Sequence, residues 1–216
     1  MAGMDLNRMK MMGTTTVALK CVDGVVMVSD TRAVLLPGFI ASKAAKKIYR
    51  ITRNTGMTIA GLPADAQNLL DLLRANASIY QLHRKRIIPV RSVAGLASNI
   101  LFSQRYFPYI IQVIIGGYDT EGYHIFSLDP LGSVIEDNLV STGSGSPVAY
   151  GVLENEYKDG VDLDAGLPIA VRAISAAMKR NVYTGDDFNA ATITEKDGYV
   201  ELTKEQKKEL LSKAAS

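Results

Sequence analysis

Apolar and polar residues follow two different rhythms along this chain, and the points where the rhythm changes divide it into segments. Thr15 to Lys20, Val25 to Ser29, Lys47 to Thr52 and Met57 to Ala60 are short and rich in Val, Ile and Thr, with Asp23-Gly24, Pro37-Gly38 and Asn54-Thr55-Gly56 between them. That pattern predicts the strands of an antiparallel sheet. From Pro63 the period lengthens: Ala66, Leu69, Leu70, Leu73, Ala77 and Tyr80 recur at helical spacing, while Gln67, Asp71, Arg74, Ser78 and Gln81 fall opposite. An amphipathic helix is predicted there. Pro89 opens a second helix with Val93, Leu96, Ala97, Ile100 and Leu101 on its apolar face. Such a pair is stable only when packed on something flat.

Strand patterns resume at Ile110 to Ile115, Tyr123 to Leu128, Gly132 to Ile135 and Leu139 to Ser141, with turns at Asp119 to Gly122 and Asp129-Pro130. They imply a second sheet. Ser146-Pro147 reads as an N-cap and first-turn pair for a helix through Tyr157. Leu167, Ala170, Val171, Ile174 and Met178 mark another helix through Arg180, followed by strands near Ala190 to Thr194 and Tyr199 to Leu202 and a polar terminal helix. The order predicts an α+β fold in which two packed antiparallel sheets are covered on both outer faces by helices. No repeat, linker or low-complexity segment interrupts it.

Composition then removes function classes. The 216 residues are 47% apolar and 21% charged, which fits one soluble layered domain. A net charge of +2 offers no field to recruit nucleic acid or an anionic membrane. Cys21 is the only cysteine, and His83 and His124 are the only histidines, so a disulfide framework, a zinc site and a Cys/His pair are hard to build. No window approaches the roughly 18 apolar residues of a spanning helix, and a cytoplasmic protein without metal or cofactor is expected. Five of the eight methionines precede Gly13. Broken up by Asp5, Arg8 and Lys10, this leader is neither a secretory h-region nor a membrane span, and it reads as a processed or disordered tail.

Candidate chemistry begins at Gly13-Thr14-Thr15-Thr16. Gly143-Ser144-Gly145 lacks the third glycine of a dinucleotide fingerprint, and no GxxxxGK[ST] occurs, which argues against nucleotide binding. A threonine whose preceding peptide bond is cut gains a free α-amine beside its own hydroxyl, and that amine can act as general base. Its ordinary pKa of about 7.7 to 8.0 leaves a fair fraction neutral near pH 7. Taken alone, the triplet reads first as the start of an edge strand.

The wider sequence resembles the proteasome β subunit of archaeal type, a threonine peptidase of the N-terminal-nucleophile hydrolases, over nearly all of Thr14 to Leu202. The resemblance is carried by GTTTV, SDTR (29 to 32), KKI (46 to 48), GMTIAGLPADAQ (56 to 67), STGSGSP with AYGVLE (141 to 154), RAISAAMKRN (172 to 181) followed by TGDD, and TEKDGYVEL. It implies a four-layer αββα sandwich, a propeptide of residues 1–13 removed between Gly13 and Thr14, and one peptidase domain over 14–216. It further implies Thr14 as nucleophile and amine base, with Lys47 as the active-site lysine and Asp30 as the partner that keeps it charged. Lys46 competes with Lys47, but Lys47 directly precedes the apolar Ile48, and alternation puts its neighbour on the other face. Gly61 matches the oxyanion-hole position, and Ser144 a serine near the amine. Ala33, Ala45, Ile59 and Pro63 match the lining of the primary specificity pocket; all are uncharged, which implies cleavage after bulky apolar residues.

One motif departs from the family. Where Arg-Asp-x-x-Ser-Gly is usual, this chain has Arg180-Asn181-Val182-Tyr183-Thr184-Gly185. Thr184 keeps the hydroxyl and Asn181 keeps an acceptor oxygen, but a negative charge is lost. A weakly active or silent structural β-ring subunit is therefore the alternative to an active peptidase, and the related bacterial two-ring peptidase is a third reading. The expected partners are other β subunits in seven-membered rings, proteasome α subunits, an ATP-dependent unfoldase and unfolded polypeptide.

Overall fold

In a computed structural model of the chain, residues 13–35 and 38–214 are described. The leader over 1–12 and Pro37 of the turn expected at Pro37-Gly38 lie outside them. The chain opens with the hairpin β1 (Thr16–Lys20) and β2 (Val25–Asp30), which turns through Asp23-Gly24. A small separate hairpin, β3 (Ala33–Leu35) and β4 (Phe39–Ser42), follows. Next come β5 (Ile48–Arg50), β6 (Thr55–Gly61), the helices α1 (Pro63–Arg84) and α2 (Val90–Ser103), and the meander β7 (Ile111–Asp119), β8 (Gly122–Leu128) and β9 (Val134–Glu136). The last third holds β10 (Leu139–Thr142), α3 (Ser146–Glu156), α4 (Leu163–Arg180), β11 (Phe188–Thr194), β12 (Gly198–Glu201) and α5 (Lys204–Ala214).

Two five-stranded antiparallel sheets form, in the orders β10-β1-β2-β11-β12 and β5-β6-β7-β8-β9. This corrects the grouping expected from sequence, in which the first four strand patterns shared a sheet. Hairpin signals join strands two at a time and do not say which hairpin extends which sheet. Here residues 31–47 carry the chain from one sheet to the other, and β1 takes the distant β10 as its second neighbour.

Alternation along the strands explains the layers. Val17, Leu19, Val26 and Val28 face α3 and α4 in one apolar cluster, while Ala18, Val25 and Met27 point the opposite way and meet Ile114 and Ile125 between the sheets. Because both faces are covered, β2 reads as a nearly continuous apolar run. Met57, Ile59, Val113 and Ile115 pack against Leu69, Leu73, Val93 and Ala97 of α1 and α2 on the other outer face. The result is the four-layer αββα sandwich.

Some local expectations shift. Gly145, not Ser146, is the N-cap of α3; Ser146 already lies in the first turn, and no side chain caps that end. Asp162 does cap α4, its side chain accepting from the Ala165 N–H at 2.9 Å. The strand expected over Lys47 to Thr52 stops at Arg50, because Ile51 and Thr52 both donate to the Thr55 carbonyl and form a tight turn. The β3–β4 hairpin is not predicted by the sequence pattern, since its exposed and half-buried residues carry no burial rhythm.

Candidate active site

Thr14 stands at the entry to β1, 5% exposed, and its Oγ1 donates to the Gly13 carbonyl at 2.6 Å. The hydroxyl thus sits against the peptide bond that its resemblance marks for cutting. Strand β1 runs beside β2, so Asp30, the last residue of β2, comes level with Thr15. The Asp30 carboxylate is fully buried and takes four donors. Oδ1 accepts from the Thr15 N–H at 2.9 Å and from Lys47 Nζ at 2.8 Å, and Oδ2 accepts from the N–H groups of Arg32 and Gly185 at 3.1 and 3.2 Å. Four donors stabilise an ionised carboxylate away from water.

Lys47 is 6% exposed. Besides Asp30, its ammonium donates to the Arg32 carbonyl at 2.6 Å. Burial pulls its pKa down from the ordinary lysine value, and the Asp30 carboxylate opposes that shift. The Lys46 ammonium pairs instead with Glu201 at 2.6 Å. Both lysines precede β5, and their ammonium groups have different partners.

A cavity of about 410 Å3 opens beside Thr14 and is lined by Lys47, Gly61 and all four expected pocket residues, Ala33, Ala45, Ile59 and Pro63. Gly61 ends β6 at φ +139°, and a Cβ there would fall 2.1 Å from the Ile110 carbonyl oxygen. The atoms it would meet, from Ile110 and Ile111, are all backbone and cannot swing aside. Gly61→Ala is therefore expected to cost about 1–3 kcal/mol or more, read as a lower melting temperature of the assembled protein. An unchanged melting temperature would show that the β6 terminus is softer than its geometry.

At the C-terminal end of α4, three donors converge on one side-chain amide. Asn181 Oδ1 accepts from Ser144 Oγ and Thr184 Oγ1, both at 3.1 Å, and from the Tyr183 N–H at 3.0 Å. Thr184 Oγ1 also lies 2.7 Å from Thr15 Oγ1. Since Thr184 spends its one proton on Asn181, Thr15 is the donor in that bond. The network tethers the segment behind Thr14 to the C-terminal end of α4, where Asn181 is the cap.

Three contributors were not singled out from sequence, and a fourth, Lys46, was weighed only as the rival to Lys47. Tyr49 lines the cavity, and its spacing of two from Lys47 was the available signal. Lys46 touches the same wall. Arg32 gives its carbonyl to Lys47, while its guanidinium pairs with Asp186 at 2.9 Å and holds that carboxyl below the usual range. Thr15 supplies the hydroxyl and N–H already described. Cys21 is remote in kind from this chemistry, as burial pushes its thiol up to about 12. Among the described residues, no three His, Cys, Asp or Glu side chains gather to hold a metal ion.

A family model described as proteasome subunit matches residues 11–193. The chain belongs to the proteasome subunit family. It is 46% identical over 202 residues to the proteasome subunit beta of Methanothermobacter thermautotrophicus, covering 94% of this chain and 95% of that one. The proteasome subunit beta of Archaeoglobus fulgidus is 48% identical over 202 residues, at 93% and 94% coverage. That of Thermoplasma acidophilum is 45% identical over 194 residues, at 90% and 91%. Within the proteasome family these relatives are all β subunits, and the chain is of that β type. No helix among the described residues of this proteasome subunit is long and apolar enough to cross a membrane.

Proposed function

We propose that this β subunit is a threonine endopeptidase that frees its own nucleophile by removing residues 1–13. The observation that carries this reading is Thr14 Oγ1, 2.6 Å from the Gly13 carbonyl oxygen and backed by the buried Lys47–Asp30 pair. In the uncut chain the Thr14 nitrogen is an amide without a basic lone pair, so the first cut needs another base. Lys47 lines the same cavity, and burial lowers its pKa from the ordinary lysine value while Asp30 opposes the shift, which makes it the candidate to relay that proton. Gly13 suits the cleavage point for a steric reason too: a Cβ there would fall 2.1 Å from Tyr183 Cβ.

Once cut, the free α-amine takes the proton from Thr14 Oγ1 as that oxygen bonds to the carbonyl carbon of a bound peptide. The oxyanion falls to the Gly61 N–H, a donor worth about 100-fold to 1000-fold in rate. Collapse breaks the C–N bond, the amine's proton passes to the leaving nitrogen, and an ester to Thr14 remains. Water then attacks the ester, giving a carboxylic acid and restoring the hydroxyl. Ala33, Ala45, Ile59 and Pro63 make the cavity wall apolar, which favours cleavage after bulky apolar residues.

The same reading places the subunit in seven-membered β rings with α subunits, in the cytoplasm, acting on unfolded polypeptide delivered by an ATP-dependent unfoldase. Intact mass of the chain coassembled with α subunits tests it. An N-terminus at Thr14 is expected, and a stable full-length chain without threonine-dependent turnover would reject it.

The neutral Asn181 favours the second reading, a silent ring subunit. Asn181→Asp keeps the acceptor of three hydrogen bonds and adds a negative charge near the amine. A nearby anion favours the ammonium, so the amine pKa rises and the base form appears at higher pH. The rising limb of kcat/KM should move up by roughly half to one pH unit. Turnover that appears only in Asn181→Asp would instead establish the silent reading.

A further inference from the structure

The apolar cavity has one charge at its wall that substrate chemistry leaves unexplained. Lys46 lines it next to Tyr49. The Tyr49 hydroxyl donates to the Lys46 carbonyl at 2.7 Å, and the Lys46 ammonium lies 5.8 Å from the centre of the Tyr49 ring. That ammonium is then drawn off to Glu201 Oε1 at 2.6 Å, on β12 of the opposite sheet. The same carboxylate oxygen accepts from the Tyr199 hydroxyl at 3.1 Å, which fixes its position. The second cation at the cavity, Lys47, is already satisfied by Asp30 and the Arg32 carbonyl.

We propose that Glu201 and Lys46 form a specificity-determining pair, in which Glu201 neutralises the Lys46 ammonium at the cavity wall and so keeps the cavity selective for apolar side chains. The proposal rests on the peptidase reading of the cavity as the place where a substrate side chain enters. Without Glu201, an unpaired ammonium would border that cavity. An acidic side chain would then supply the missing counter-charge, while an apolar one would cover a cation without pairing it. Both members are 47% exposed, so water weakens the charge without removing it.

A simple brace between the sheets makes a different prediction. Loosening a brace lowers affinity for every peptide alike, whereas losing a charge partner changes the ratio between acidic and apolar peptides. The test uses assembled particles carrying Glu201→Gln, Lys46→Met, or both. Glutamine retains an oxygen for Tyr199. Fluorescein-labelled peptides ending in Leu or Glu are titrated and followed by anisotropy at low and high salt.

Glu201→Gln is expected to raise the Glu-to-Leu affinity ratio by about threefold to tenfold, an effect shrinking as salt screens the charge. Lys46→Met should abolish the gain in the double variant. A ratio within twofold of wild type, or a gain that survives Lys46→Met, overturns the proposal. Binding needs no cleavage, so the peptidase reading is judged separately, by Thr14-dependent hydrolysis of the Leu peptide by the wild type. Absence of that hydrolysis would sink the peptidase reading while the ratio still decides the pair.

Discussion

Particles built with Thr14→Ala are expected to retain residues 1–13 and to lose peptide hydrolysis by roughly a millionfold, the scale on which a hydrolase falls when its nucleophile is removed. The substitution deletes the atom that touches the Gly13 carbonyl and leaves the Asp30–Lys47 pair and the apolar core untouched. Folding and ring assembly should therefore persist. Mass spectrometry reads the leader, and fluorogenic peptides with apolar residues before the scissile bond read turnover. Clean removal of the leader from purified Thr14→Ala particles would mean that an outside protease makes the cut.

The second large effect separates two adjacent lysines. Lys47→Ala strands the Asp30 carboxylate, fully buried, without its cation. Breaking a buried pair from one side costs about 3–5 kcal/mol, and the lost charge near the nucleophile should lower turnover by about 100-fold to 1000-fold. Lys46→Ala removes an ion pair whose members are 47% exposed, so stability should move by about 1 kcal/mol or less. Melting temperature and turnover, measured side by side in equal assemblies, give the contrast. Equal effects from both substitutions would contradict the placement of Lys47 behind Thr14. Asp30→Asn combined with Lys47→Met removes both charges and should recover part of the stability, because no buried charge is left unpaired.

The helices and most strands were legible because their faces are strongly polarised, as with Leu69 and Leu73 against the solvent side of α1. The sheet grouping was not, since pairing of β1 with β10 joins residues far apart in sequence through contacts that no local rhythm records. At the site, Thr14, Lys47 and Gly61 were named by the family resemblance, and they lie around one cavity. The Gly143-Ser144-Gly145 stretch was harder to read. A Gly/Ser-rich run by itself reads as a flexible loop, yet a Cβ on Gly145 would fall 2.1 Å from Thr15 Oγ1, so the glycines mark tight packing against the threonines. Glu201 was invisible as a contributor because its partner lies 155 positions away.

The placement of Thr14 at the mouth of β1 bears on what happens after the bond before it is broken. New chain ends ordinarily fray, because nothing beyond them holds the backbone. Here the next residue is clamped at once: the Thr15 N–H bonds to Asp30 Oδ1, its carbonyl accepts from the Asp30 N–H at 3.2 Å, and Thr16 is flanked by Ser29 and Thr142 on neighbouring strands. The freshly made amine would be among the least mobile ends a polypeptide can have, and its amide neighbours should exchange with solvent as slowly as the interior of the sheet. Under the proposed maturation, the nucleophile is thus born already aligned, with no search left to perform.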